Sequence, residues 1–243
     1  MNVHDLPLEH RYVAWFDILG MTEAMLTNPR RALDLLQRFN RARFDANERR
    51  IVISDDDPEV MPERLTAQAF SDSLFIVSVA AEEDDLFSII VRSSLLFDAA
   101  IVHRVPVRAA ITVGPVVVDP DWDLVAGGPM VRAYHLAETS DWLGLELEPE
   151  VASRAGRLNL RSKRGPPILV PWQIPTNIGA PRSSVAVNWP ALLYDWNAIA
   201  SSSPAGFYHV FFAPVGLSLT ACTDSARRKY ENAFAFATHA LSL

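Results

Sequence analysis

Arg11-Tyr12-Val13-Ala14-Trp15-Phe16-Asp17-Ile18-Leu19-Gly20 is the stretch on which the reading of this chain turns. Residues 11–18 are short, aromatic and β-branched, with no polar alternation, which predicts a strand buried on both faces. Gly20 ends it, and Asp17 places one carboxylate where the strand gives way to a turn. Phe70-Ser71-Asp72-Ser73 repeats the device: residues 65–80 predict a β-hairpin, Leu65 to Phe70 and Leu74 to Val79, with Asp72 in the tight turn. A lone aspartate at such a place is a turn former, because its side chain accepts hydrogen bonds from nearby backbone amides. Two of them on strands that lie side by side suggest a divalent-cation site, since hard cations are held by one or two carboxylates plus substrate phosphates. Nucleotide chemistry is the reading to test.

The flanking sequence supplies helices. A short helical stretch runs from Thr22 to Leu26 and breaks at Asn28-Pro29. From Arg31 to Arg50 the positions Leu33, Leu36, Phe39 and Phe44 recur at helical spacing and predict an apolar stripe. Ser54-Asp55-Asp56-Asp57-Pro58 reads as an acidic loop. Glu82 to Val102 is the clearest amphipathic helix, with Leu86, Ile89, Ile90, Phe97 and Ile101 on one side and acidic residues in its first turn. Val105 to Val118 reads as strand, Asp119 to Asp123 as loop, and Met130 to Ser140 as helix after Gly127-Gly128-Pro129. Residues 153–185 read as irregular with short strands around Ile168 to Val170, Tyr208 to Leu219 as strand and 224–241 as a closing helix. The order is α/β or α+β.

Composition narrows the function classes. With 243 residues and 49% hydrophobic content, the chain can bury a sizeable core. A net charge of −7 argues against a nucleic-acid-coating protein. Cys222 is the single cysteine, so no disulfide framework or thiolate cluster is expected, and it reads as a small buried hydrophobe. The polar start Met1-Asn2-Val3-His4-Asp5 and the absence of a long apolar run predict a cytoplasmic protein without a membrane span. His135 and Glu138, three apart on a helix, are a weak metal pair in a chain without His-Glu-x-x-His. No Gly-Lys-Ser/Thr P-loop, Gly-x-Ser-x-Gly elbow or Gly-Gly-Asp-Glu-Phe turn is present. Trp189, Tyr194 and Trp196 read as packing residues.

At Tyr12 to Gly20, Phe70 to Ser73 and Val107 to Gly114, the chain resembles the class III nucleotidyl cyclase catalytic domain, closest to the pyrimidine cyclases of bacterial Pycsar antiphage systems. The resemblance covers roughly residues 10–150. It implies an α+β fold with a ferredoxin-like core, a mainly antiparallel sheet flanked by helices, and residues 151–243 as a later part of that domain or an extension. It also implies that Asp17 and Asp72 hold two divalent cations, Mg²⁺ or Mn²⁺, with the Ile18 carbonyl as a further ligand. The backbone amides of Leu19, Gly20 and Met21 would suit the β- and γ-phosphates. Gly20 serves equally well as a plain strand-ending glycine.

Arg108, inside Val107-Arg108-Ala109-Ala110-Ile111, needs a partner, because an unpaired buried guanidinium is costly. A nucleotide phosphate or base carbonyl fits, and so does a structural acidic neighbour. The departures from the family pattern bear on substrate. Purine cyclases carry a base-selecting Lys or Glu just before the second aspartate, whereas Thr66-Ala67-Gln68-Ala69 is uncharged. Thr66 and Gln68 suit a pyrimidine edge, or simple solvation. No Asn-x-x-x-Arg register fits Val131 to Leu136; Arg132 falls where the Asn would be and is a candidate for the transition-state phosphate. The implied function is conversion of UTP, or CTP, to its cyclic monophosphate by a head-to-tail homodimer, each site borrowing Arg132 and Tyr134 from the partner, with the product acting on a separate effector. The rivals are a non-catalytic cyclase-like binding domain and a purine cyclase.

Overall fold

The computed structural model describes residues 3–48, 65–122, 124–158, 160, 166–192, 203–211 and 223–243. In chain order the described elements are β1 (Leu8–Ile18), α1 (Met21–Thr27), α2 (Pro29–Glu48), β2 (Leu65–Phe70), β3 (Ser73–Ser78), α3 (Glu83–Val102), β4 (Val107–Asp119) and β5 (Leu124–Gly127). They continue with α4 (Gly128–Thr139), β6 (Leu145–Leu147), α5 (Pro149–Ala155), β7 (Leu169–Ile174), β8 (Arg182–Val187), α6 (Pro204–Phe211) and α7 (Asp224–Leu241). The acidic loop at 54–58, Tyr194, Trp196, Cys222 and the expected strand beyond residue 211 lie outside the described residues.

All eight described strands join one sheet in the order β2-β3-β1-β4-β6-β8-β7, with β5 added to β4. Every pairing between these strands is antiparallel except β4 with β6. This is the α+β, mainly antiparallel architecture that the resemblance implied, and it settles the order left open as α/β or α+β. β1 sits between β3 and β4, which is why its run is apolar on both faces. Its Tyr12, Ala14, Phe16 and Ile18 face a core completed by Ile89, Ile90 and Phe97 of α3 and by Trp142, Trp189 and Phe236. The opposite face holds a smaller cluster, Val13, Val77 and Val116, against which Met130 of α4 packs.

α3 behaves as its periodicity predicts: all five stripe residues are buried, and Glu82 and Asp85 form a reciprocal capping box at its start. α2 corrects the expected stripe. Phe39 is buried, but Leu33 and Phe44 are exposed, and the inner face is built from Ala32, Ala42 and Ala46. Small residues let a helix approach its neighbours closely, so the largest hydrophobes are poor guides to its inner side.

The second half needs three corrections. Residues 149–155 are helical, begun by Pro149 at a position where its missing N–H costs nothing. Within the stretch read as irregular, β7 runs on to Ile174 and β8 pairs with it over six residues; Pro171 is tolerated because β7 is the sheet's edge strand. Residues 208–211, read as the start of a strand, belong to helix α6, opened by Pro204, with Phe207 and Tyr208 buried. An unbroken apolar run does not distinguish a buried strand from a buried helix. Trp189 is fully buried, as a packing residue should be. No helix among the described residues is long and apolar enough to cross a membrane.

Candidate active site

The registers of β1 bring the two acidic strand ends together. Asp17 lies opposite Ser73 on β3 and opposite Arg108 on β4. The Ile18 amide donates to the Asp72 carbonyl at 3.2 Å, so the hairpin turn bearing Asp72 is tied to the residue after Asp17. Ser71 opens that turn at φ 54°, a left-handed conformation that favours glycine. Asp72 is half-buried at the mouth of the sheet.

Arg108 resolves its two readings toward an acidic neighbour in this state. Its Nε donates to Asp17 Oδ2 at 2.9 Å, its Nη2 lies 2.9 Å from the same oxygen, and its Nη1 donates to the Glu138 carbonyl at 2.9 Å. The guanidinium therefore clamps β1, β4 and the carboxyl end of α4, where the helix dipole favours a cation. Even so, burial holds the Asp17 carboxyl above its usual range; Arg108 pulls it down, while the charges of Asp72 and Glu138 push it further up. One arginine does not neutralise this group of carboxylates. A divalent cation has the sign of charge the site lacks.

Alternate residues share a sheet face, and paired residues share it across strands. Trp15, Asp17, Phe75, Arg108, Thr66 and Gln68 thus lie on one face. Thr66 is exposed and Gln68 half-buried on edge strand β2, beside the Asp72 turn. Gly20 adopts φ 77° as the N-cap of α1, with open space around it. The Leu19 amide donates to the Pro106 carbonyl at 2.9 Å. The expected trio of phosphate-facing amides is therefore reduced to Gly20 and Met21, and the Met21 side chain is buried.

Arg132 is not brought to these residues within one chain. Its Nε donates to Glu148 Oε1 at 2.7 Å and its Nη2 to the Val113 carbonyl at 2.6 Å. Val113 pairs with Tyr12, five residues along β1 from Asp17, about 17 Å at the usual strand rise.

Sequence reasoning missed Trp15 and Phe75, and it gave Tyr134 and Glu138 other roles, the first lent to a partner copy and the second in a metal pair with His135. Trp15 packs edge-on against Phe75 and Tyr134, at centroid distances of 3.9 and 5.5 Å. The Tyr134 hydroxyl hydrogen-bonds Glu138, which together with partial burial holds the phenol above its ordinary value. The available signals were the two-residue spacing from Trp15 to Asp17 and the four-residue spacing from Tyr134 to Glu138. His135 Nδ1 stands 4.0 Å from Glu138 Oε2, and no group of three or more His, Cys, Asp or Glu among the described residues is arranged to hold a metal.

The chain aligns in three dimensions with the catalytic core of a rhodopsin-guanylyl cyclase of converted specificity in complex with ATPαS. The TM-score is 0.51 at 12% identity, covering 74% of this chain and 95% of that one. The chain shares the mixed α+β fold of that cyclase catalytic core. Further matches are an adenylate/guanylate cyclase/hydrolase from Silicibacter pomeroyi (TM-score 0.47, 14% identity, 75% of this chain and 97% of that) and a class III adenylyl cyclase-like ATP-binding protein from Pseudomonas aeruginosa (0.43, 15%, 64% and 37%). No family model and no curated protein matches the chain.

Proposed function

We propose that this chain is a metal-dependent nucleotidyl cyclase that converts a pyrimidine nucleoside triphosphate, UTP first and CTP second, to its 3′,5′-cyclic monophosphate and pyrophosphate. The observation that carries the reading is the convergence of Asp17 and Asp72 on one sheet end of a cyclase fold, with burial and the charges of Asp72 and Glu138 holding the Asp17 carboxyl up against the pull of Arg108. Asp17, Asp72 and the Ile18 carbonyl would hold two Mg²⁺ or Mn²⁺ ions, a donor set of the hard oxygen type. Such ions, when bound, neutralise phosphate charge and ease deprotonation of the attacking 3′-hydroxyl. The chain's own work is positioning. The Gly20 and Met21 amides meet the phosphates. Arg108, once Asp17 is shared with a cation, has a guanidinium edge for a phosphate or base carbonyl. Thr66 and Gln68 offer hydrogen bonds to a pyrimidine edge. Arg132 completes the site of a second copy in a head-to-tail homodimer, whereas Tyr134, expected in the same role, packs against Trp15 and so belongs beside its own chain's Asp17. The cyclic product then acts on a separate effector in antiphage defence.

Two observations keep rivals in play. One structural neighbour is a rhodopsin-guanylyl cyclase of converted specificity bound to ATPαS, so a purine substrate is equally consistent with the fold. Arg108 occupies Asp17, which suits a cyclase-like binding domain without turnover. Incubating the protein with each of the four ribonucleoside triphosphates and Mn²⁺, and resolving the products, separates the three. Cyclic UMP or cyclic CMP supports the proposal, cyclic AMP or cyclic GMP alone moves the substrate to a purine, and no cyclic product favours the binding domain.

A further inference from the structure

A cavity of about 320 Å³ lies between α1–α2 and α6–α7, on the opposite side of the sheet from the face that bears Asp17 and Arg108. Its size is at the lower end for small-ligand sites. Among the described residues, four cationic side chains line it against two carboxylates, in a chain whose overall charge is −7. Two of the four are already engaged. Arg38 pairs with Asp34 at 2.8 Å, and Lys229 with Asp141 at 3.0 Å. Arg31 and Arg104 are in no ion pair among the described residues.

Arg104 carries a second, independent signal. α3 ends in a Schellman turn, with Val105 N–H donating to the Ala100 carbonyl and Arg104 N–H to the Ile101 carbonyl, both at 2.8 Å. The left-handed position of this turn is normally glycine, and here it is Arg104 at φ 59°. A Cβ at that position costs about 1 kcal/mol. A strained residue retained at the rim of a cavity points to a use for its side chain. Leu35, Tyr208 and Tyr230 supply apolar wall beside the cations.

We propose that this cavity is a second anion site, taking a small di- or triphosphate, free or as a nucleotide, with Arg104 and Arg31 as its principal ligands. It needs no divalent cation and does not depend on the cyclase reading. Leu19 and Gly20 form one edge of the cavity, so occupancy would bear on the same turn that follows Asp17.

The test is calorimetric titration in EDTA of the full chain carrying both Asp17→Asn and Asp72→Asn, against inorganic pyrophosphate and against UTP. Saturable binding of either is expected; equal affinities assign recognition to the phosphates, and tighter UTP binding adds the ring. Adding Arg104→Gly should weaken binding roughly tenfold or more while thermal stability holds or rises, because glycine fits the turn. Arg31→Ala should weaken it similarly. Absence of saturable binding to the doubly substituted chain, or unchanged affinity in Arg104→Gly, overturns the proposal. The nucleotide turnover assay can fail or succeed independently of either result.

Discussion

Burial raises the Asp17 carboxyl although two Arg108 nitrogens lie within hydrogen-bonding distance of it, so the folded chain holds this proton more tightly than the unfolded chain does. The resulting contribution to stability is complete below the ordinary value of 3.8 and is lost as pH rises through the raised folded value. Asn at this position does not titrate. The melting temperature of wild type relative to Asp17→Asn should therefore fall as pH rises from the ordinary value of 3.8 through the raised folded value. Mn²⁺ at pH 7 should raise wild type and leave the variant unmoved; a pH-independent difference would contradict this account of the site. Ser71→Gly should stabilise the hairpin by about 1 kcal/mol, read from the urea midpoint, because it relieves the left-handed φ of 54°. At this scale the meeting of the two acidic strand ends was legible, since each sits where an apolar run turns and the β1–β3 pairing brings those turns together. The Arg108 partner was not, because choosing between a neighbouring acid and a ligand requires the β1–β4 register that places Asp17 opposite it.

Among the elements, β8 meets β6 over only two backbone pairs, and an ion pair joins them as well. Arg182 bonds both oxygens of Glu146 on β6 at 2.8 Å, and Glu146 is only 1% exposed. Arg182→Ala leaves that carboxylate buried without a counter-charge, held among the described residues only by the Ser140 hydroxyl, and should cost about 3 kcal/mol in equilibrium unfolding. Arg182→Lys should recover part of the loss. Elements with their own periodicity or turn chemistry, such as β1, the β2–β3 hairpin and α3, could be read directly. β6 is three residues long, β7 contains a proline, and α6 begins in an apolar run, so their states depend on what they pack against. α2 shows the same limit within a helix: Leu33 and Phe44 looked like core, whereas alanines face inward.

For the whole molecule, the distance between Arg132 and Asp17 along the sheet carries the consequence. If Arg132 acts in catalysis, a second copy must present it. Mixing Asp72→Asn chains with Arg132→Ala chains then creates heterodimers with one intact site, and activity should return to about a quarter of wild type after full exchange. No recovery would place all catalytic groups in one chain or remove Arg132 from the reaction. The most direct test of the central claim is simpler. Turnover of UTP with Mn²⁺ should be compared between wild type and Asp72→Asn, with folding matched by melting temperature. The account predicts cyclic UMP from wild type and at least about a hundredfold less from the variant. Equal turnover by the two proteins would contradict it.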